Sequence, residues 1–78
     1  MAKARKSLKV RSEYIDRLKL AVWRNGFPRQ VDLALELGMC LSTISNYLNA
    51  KPVAILNFME ISSRLGFEDW QEIVDWEN

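Results

Sequence analysis

The 78 residues include no histidine and a single cysteine, Cys40. With no imidazole and one thiol, the chain offers no zinc set and no disulfide of its own, and it lacks the commonest acid–base catalyst. The three glycines form no phosphate-cradling loop. No uncharged apolar run approaches the ~20 residues that a membrane span needs, and no charged-then-apolar leader opens the chain. These absences predict a soluble, cytoplasmic protein in a reducing compartment, with no membrane partner, no metal, no cofactor and no evident small-molecule substrate. A chain of this length forms one domain whose small core leaves little interior for a catalytic cleft, so a non-enzyme is expected.

Net charge is also scarce, at +1, but its distribution is not even. Up to Gln30 there are nine Lys and Arg against two acids; from Val31 onward there are two, Lys51 and Arg64, against eight. A molecule polarised in this way can turn a basic side to a polyanion and keep its acidic side in water. The alternative is a basic stretch that serves only as a soluble tail. Glu68, Asp69, Glu72, Asp75 and Glu77 crowd the end of the chain, where solvation is the default reading.

Residues 1–11 carry a basic residue at nearly every second or third position and show no helical period, which predicts a flexible basic arm that orders on a partner. The folded domain is expected over residues 12–78. Ser12 can cap a helix starting at Glu13, with Tyr14, Ile15, Leu18, Ala21 and Val22 on its apolar face and Asn25-Gly26 as its stop. Pro28 suits the first turn of a second helix carrying Leu33, Ala34 and Leu37, which Gly38 ends. A third helix spans Leu41 to Asn49, and Pro52 opens a fourth, with Ile55, Phe58, Met59, Ser62 and Leu65, that Gly66 closes. Trp70, Ile73 and Val74 predict a last helical turn or two. No alternating strand pattern is read anywhere, so the expected fold class is all-α, with five short helices.

The stretch from Gln30 to Leu48 carries the most information. Two helices that cross steeply need a small residue at their closest approach, and Ala34 is small. Their turn needs a residue tolerant of a left-handed backbone, and Gly38 follows four residues later. The second helix must return apolar side chains to the shared core, which Ile44 with Tyr47 or Leu48 can do.

With Gln30, Leu33, Ala34, Leu37, Gly38, Ser42, Thr43, Ile44, Ser45, Asn49 and Lys51 in this order, the segment resembles the helix-turn-helix of the phage-repressor family, the lambda- and Cro-like proteins. Leu48-Asn49-Ala50-Lys51-Pro52 is similar to that family's Asn-Gly-Lys loop, and Phe58 to Trp70 to its fourth and fifth helices. The resemblance implies a five-helix lambda-repressor-like DNA-binding domain with a central helix-turn-helix. The implied function is sequence-preferring binding of double-stranded DNA by a bacterial or phage transcriptional regulator. It places Leu41, Ser42, Ser45 and Asn46 against base edges, with Asn46 suited to pair with adenine through two hydrogen bonds. It gives the phosphates to Gln30, Arg29, Thr43, Asn49 and Lys51, helped by Lys6, Lys9 and Arg11 of the arm. It also implies a homodimer, for which Trp76 is the candidate contact. Cys40 stands where the family has a capping Ser or Thr, and Ala50 where it has glycine.

Two other readings compete. The helix pair can be a structural hairpin, with Trp23, Phe27, Tyr47, Phe58, Trp70 and Trp76 as core or rim packing and Cys40 as a small buried hydrophobe. The fold can also serve as a protein-interaction module, the N-terminal domain of a larger signalling protein, because Leu41 to Asn49 contains no Lys or Arg.

Overall fold

The computed structural model describes residues 6–76. In chain order it contains β1 (Ser7–Leu8), a single 3-10 turn (Ser12–Tyr14), α1 (Ile15–Arg24), α2 (Gln30–Leu37), α3 (Leu41–Tyr47), β2 (Val53–Ala54), α4 (Ile55–Arg64) and a second 3-10 turn (Trp70–Glu72). The expected five-helix all-α fold is therefore corrected to four α-helices and a small two-stranded antiparallel sheet. Ser7 pairs with Ala54 and Leu8 with Val53. Val10 forms a further isolated antiparallel bridge with Val74.

Both differences arise from the N-terminal segment. Leu8 and Val10 alternate with Lys9 and Arg11, a period of two that puts one side on the core and the other in solvent. Both apolar residues are buried. The segment recruits the backbone that a fifth helix would have used: Arg11 N–H donates to the Ile73 carbonyl at 2.8 Å, and Asp75 N–H donates to the Lys9 carbonyl at 2.8 Å. What remains of the last helix is one 3-10 turn. Residues 6–11 are thus part of the fold, whereas the start of the expected arm, residues 1–5, lies outside the described residues.

Local chemistry shifts the other helix starts as well. The chain makes a 3-10 turn from Ser12 before α1, so Ser12 lies inside the turn and the cap positions fall to Arg11 and Tyr14, neither of which makes a side-chain capping bond. Pro28 precedes α2 rather than opening it. Asp32, in the first turn, accepts from the Arg29 backbone N–H at 3.1 Å and fixes the start at Gln30. Pro52 is followed by β2, so α4 begins only at Ile55. Gly38 adopts φ 66°, and Met39 N–H returns to the Ala34 carbonyl at 2.9 Å, which ends α2 in a left-handed cap.

The core lies where α2, α3 and α4 meet. Leu33, Ile44, Tyr47, Leu48, Phe58 and Ile61 are buried there, Leu18 and Val22 close it from α1, and Leu8, Val10, Val53, Ile73 and Val74 close it from the extended segments. The Phe58 ring receives two edge-to-face neighbours, Tyr47 at 5.2 Å and Trp70 at 6.1 Å between centroids. No helix among the described residues is long and apolar enough to cross a membrane.

Candidate nucleic-acid interface

α2 and α3 make the most extensive contact between any two elements, and Ala34 of α2 is buried. This contact fixes which side of α3 faces inward. Ile44, Tyr47 and Leu48 are buried, so at 100° per residue Ser42, Ser45, Asn46 and Asn49 stand on the opposite side, with Leu41 and Thr43 at its two edges. Leu41 is 48% exposed and Ser42 is exposed; Thr43, Ser45 and Asn46 are half-buried. The outer face of α3 is thus polar except for Leu41.

Behind that face, the Tyr47 hydroxyl and Ser62 Oγ share a buried hydrogen bond of 2.8 Å between α3 and α4. Burial drives the Tyr47 phenol well above the ordinary tyrosine range, and the bond to Ser62 offsets only part of that rise. The hydroxyl therefore stays protonated and the helix stays anchored.

The expected phosphate contacts divide into two groups. Gln30 is half-buried at the start of α2, and Lys51 is exposed beyond α3 and forms no ion pair among the described residues. Lys51 has a defined place: its backbone N–H donates to the Asn46 carbonyl at 2.9 Å across Ala50, which adopts φ 58°. Ala50 thus takes up the left-handed conformation in which glycine is the usual residue. Arg29, Lys9 and Arg11 are engaged elsewhere. The Arg29 Nε lies 3.3 Å from Asp32, Lys9 Nζ lies 3.9 Å from Asp75, and Arg11 Nε lies 3.5 Å from Glu13. Residues 6–11 of the expected arm are therefore folded, with Lys9 facing Asp75 near the acidic end of the chain and Arg11 facing Glu13. Lys6 is exposed.

Asn49 is occupied too. Its Nδ2 donates to the Ser45 carbonyl at 2.7 Å and lies 3.3 Å from Ser45 Oγ. Cys40, expected as a buried hydrophobe, is exposed at the N-cap of α3 and makes no capping bond, its thiol being a weak acceptor. Trp76 is 47% exposed, and its indole N–H donates to the Gln71 carbonyl at 3.0 Å.

Two residues near this face are missing from the sequence-expected site, Lys19 and Trp23. Lys19 and Trp23 of α1 line an open depression of ≈ 270 Å³ together with Pro28, Arg29, Gln30 and Leu48. They join α1 to the start of α2 and the end of α3. Trp23 is 68% exposed, against its expected role in packing. The signal was available: Trp23 falls off the stripe of Ile15, Leu18 and Val22 and lies four residues after Lys19 on the solvent side.

A larger depression of ≈ 490 Å³ is lined by Tyr14, Arg17, Phe67, Glu68, Asp69 and Glu72, none of them from α2 or α3. Its three carboxylates, against one guanidinium, make it a poor place for an anion. No group of three or more metal-ligating side chains is placed to hold a metal ion among the described residues.

No family model, no curated protein and no solved structure matches this chain.

Proposed function

We propose that the chain binds duplex DNA with sequence preference, inserting the outer face of α3 into the major groove. The observation that carries this reading is that Ser42, Ser45 and Asn46 stand together on the outward side of a helix held from behind by Ile44, Tyr47 and Leu48. Short polar side chains on a rigid helix suit hydrogen bonding to base edges, and Asn46 suits adenine N6 and N7. Leu41 at the edge suits a thymine methyl. Gln30 and Lys51 flank the helix and take the phosphates, joined by Thr43 and Lys19, whereas Arg29 is held by Asp32. The arm contributes less than its charge implies, because Lys9 and Arg11 already face Asp75 and Glu13.

The resemblance of the α2–α3 segment to phage-repressor motifs supports transcriptional regulation in the cytoplasm of a bacterium, or of one infected by phage. A homodimer on half-sites spaced ~34 Å apart belongs to the same proposal, with Trp76 as the candidate contact. The competing protein-docking reading gains little, since Leu41 is the only large apolar side chain on the outer face of α3.

The test is fluorescence-polarisation binding to a pool of random duplexes as salt is raised. Affinity should fall steeply, with a slope of about −0.9 in log–log terms for each phosphate neutralised. Lys51→Ala should weaken all sequences alike and reduce that slope by about one, whereas Lys9→Ala should reduce it less. Asn46→Ala should lose ~1–3 kcal/mol of discrimination at one base position. Absence of binding at low salt would sink the proposal.

A further inference from the structure

We infer that Asn49 is a positioning residue that presents Ser45 to a base as a hydrogen-bond donor, and not a phosphate clamp; this rests on the DNA-binding reading above. The atom assignment follows from chemistry. A backbone carbonyl only accepts, so the Asn49 atom 2.7 Å from the Ser45 carbonyl must be the amide nitrogen. That nitrogen has two hydrogens, and the second faces Ser45 Oγ at 3.3 Å. Both donors of Asn49 are thereby directed to a single residue. What Asn49 has left is Oδ1, an acceptor, and phosphate oxygens are acceptors as well. In this arrangement its amide cannot hold a phosphate.

The consequence falls on Ser45. A hydroxyl has one proton and two lone pairs, and here one lone pair is turned toward Asn49. No described hydrogen bond takes the Ser45 proton, which leaves it for the groove. A hydroxyl held in this sense matches an acceptor on a base edge, namely purine N7, guanine O6 or thymine O4. It is less suited to the amino groups of adenine N6 and cytosine N4, which would have to use its one remaining lone pair while the proton goes unpaired. Ser45 is therefore a specificity-determining residue, and Asn49 acts through it.

The test is a double-mutant cycle on the duplex recovered by selection from a random pool, scored against duplexes changed at one position at a time. Ser45→Ala and Asn49→Ala should each reduce preference at the same single position, by roughly fivefold for one hydrogen bond. The double variant should lose no more than Ser45→Ala alone. The preference is a ratio of two affinities of one protein, so a partly unfolded variant does not alter it. Additive losses, a uniform weakening of every duplex by Asn49→Ala, or no change in preference with Ser45→Ala would overturn the inference. If the unaltered protein does not bind the pool at low salt, the DNA reading itself has failed. Salt-dependent binding with an additive cycle removes only the role given to Asn49 and Ser45.

Discussion

The hydroxyls of Tyr47 and Ser62 lie 2.8 Å apart, and both residues are fully buried. Each is the other's hydrogen-bond partner across the α3–α4 contact, so the outer face of α3 is held in place by a polar bond inside an apolar core. An unpaired buried hydroxyl is costly, while removing both partners can be close to neutral. The two single substitutions should differ. After Tyr47→Phe, Ser62 can turn to the carbonyl one helical turn back, at Phe58. After Ser62→Ala, the phenol has no such alternative. We expect a loss of about 1 kcal/mol for Tyr47→Phe and about 2 kcal/mol for Ser62→Ala, with the double variant less stable than wild type by no more than the worse single. Urea unfolding of the four proteins checks this.

The same phenol gives the fold a weakness toward alkali. Burial holds the folded-state pKa of Tyr47 above its unfolded value of about 10. A group raised in this way contributes stability that is fully present below about pH 10 and is lost as the pH climbs toward the folded value. The slope is limited to about 1.4 kcal/mol per pH unit for one proton. Stability should therefore fall between pH 10 and 11.5, and fall less steeply in Tyr47→Phe. Equal slopes in the two proteins would show that Tyr47 does not ionise on unfolding.

Ala50 is the only non-glycine residue with positive φ among those described, at 58°. A Cβ in the left-handed region costs roughly 1–2 kcal/mol. Glycine removes that cost but brings ~0.5–1 kcal/mol of extra chain entropy to the unfolded state. Ala50→Gly should thus raise stability by about 0.5–1 kcal/mol, measured as a higher urea midpoint. Because the loop already has the left-handed geometry, Lys51 should keep its place and DNA affinity should change little.

Sequence patterns that depend on helical period were legible. Ile44, Tyr47 and Leu48 on one side of α3 follow from spacing, as does the turn at Gly38, whereas Ser42, Ser45 and Asn46 were assigned to the outer face by the resemblance. The sheet was not, because two-residue strands give almost no periodic signal, and the alternation of Leu8 and Val10 with Lys9 and Arg11 is masked by charge density. Nor do charges counted along a chain reveal pairing in space. Nothing local to Lys9 announces Asp75, 66 residues away.

The N-terminal segment supplies the last prediction, because a mobile arm and an integral strand behave oppositely on substitution. Leu8 and Val10 are buried in the same core as Val53, Ile73 and Val74. Truncating a buried leucine to alanine removes its transfer free energy and leaves a cavity, typically 2–5 kcal/mol. Leu8→Ala should therefore cost about 2–3 kcal/mol, toward the low end because the site is at the margin of the core. Deletion of residues 1–11 should cost more, since Arg11 and Lys9 also anchor the backbone near Ile73 and Asp75. By contrast, Lys9→Ala removes a partly exposed ion pair at 3.9 Å and should change stability by less than about 0.5 kcal/mol. Thermal unfolding of the three variants separates the cases: a mobile arm would leave all three midpoints unchanged, whereas a strand makes the apolar substitution and the deletion costly and the charge removal almost silent.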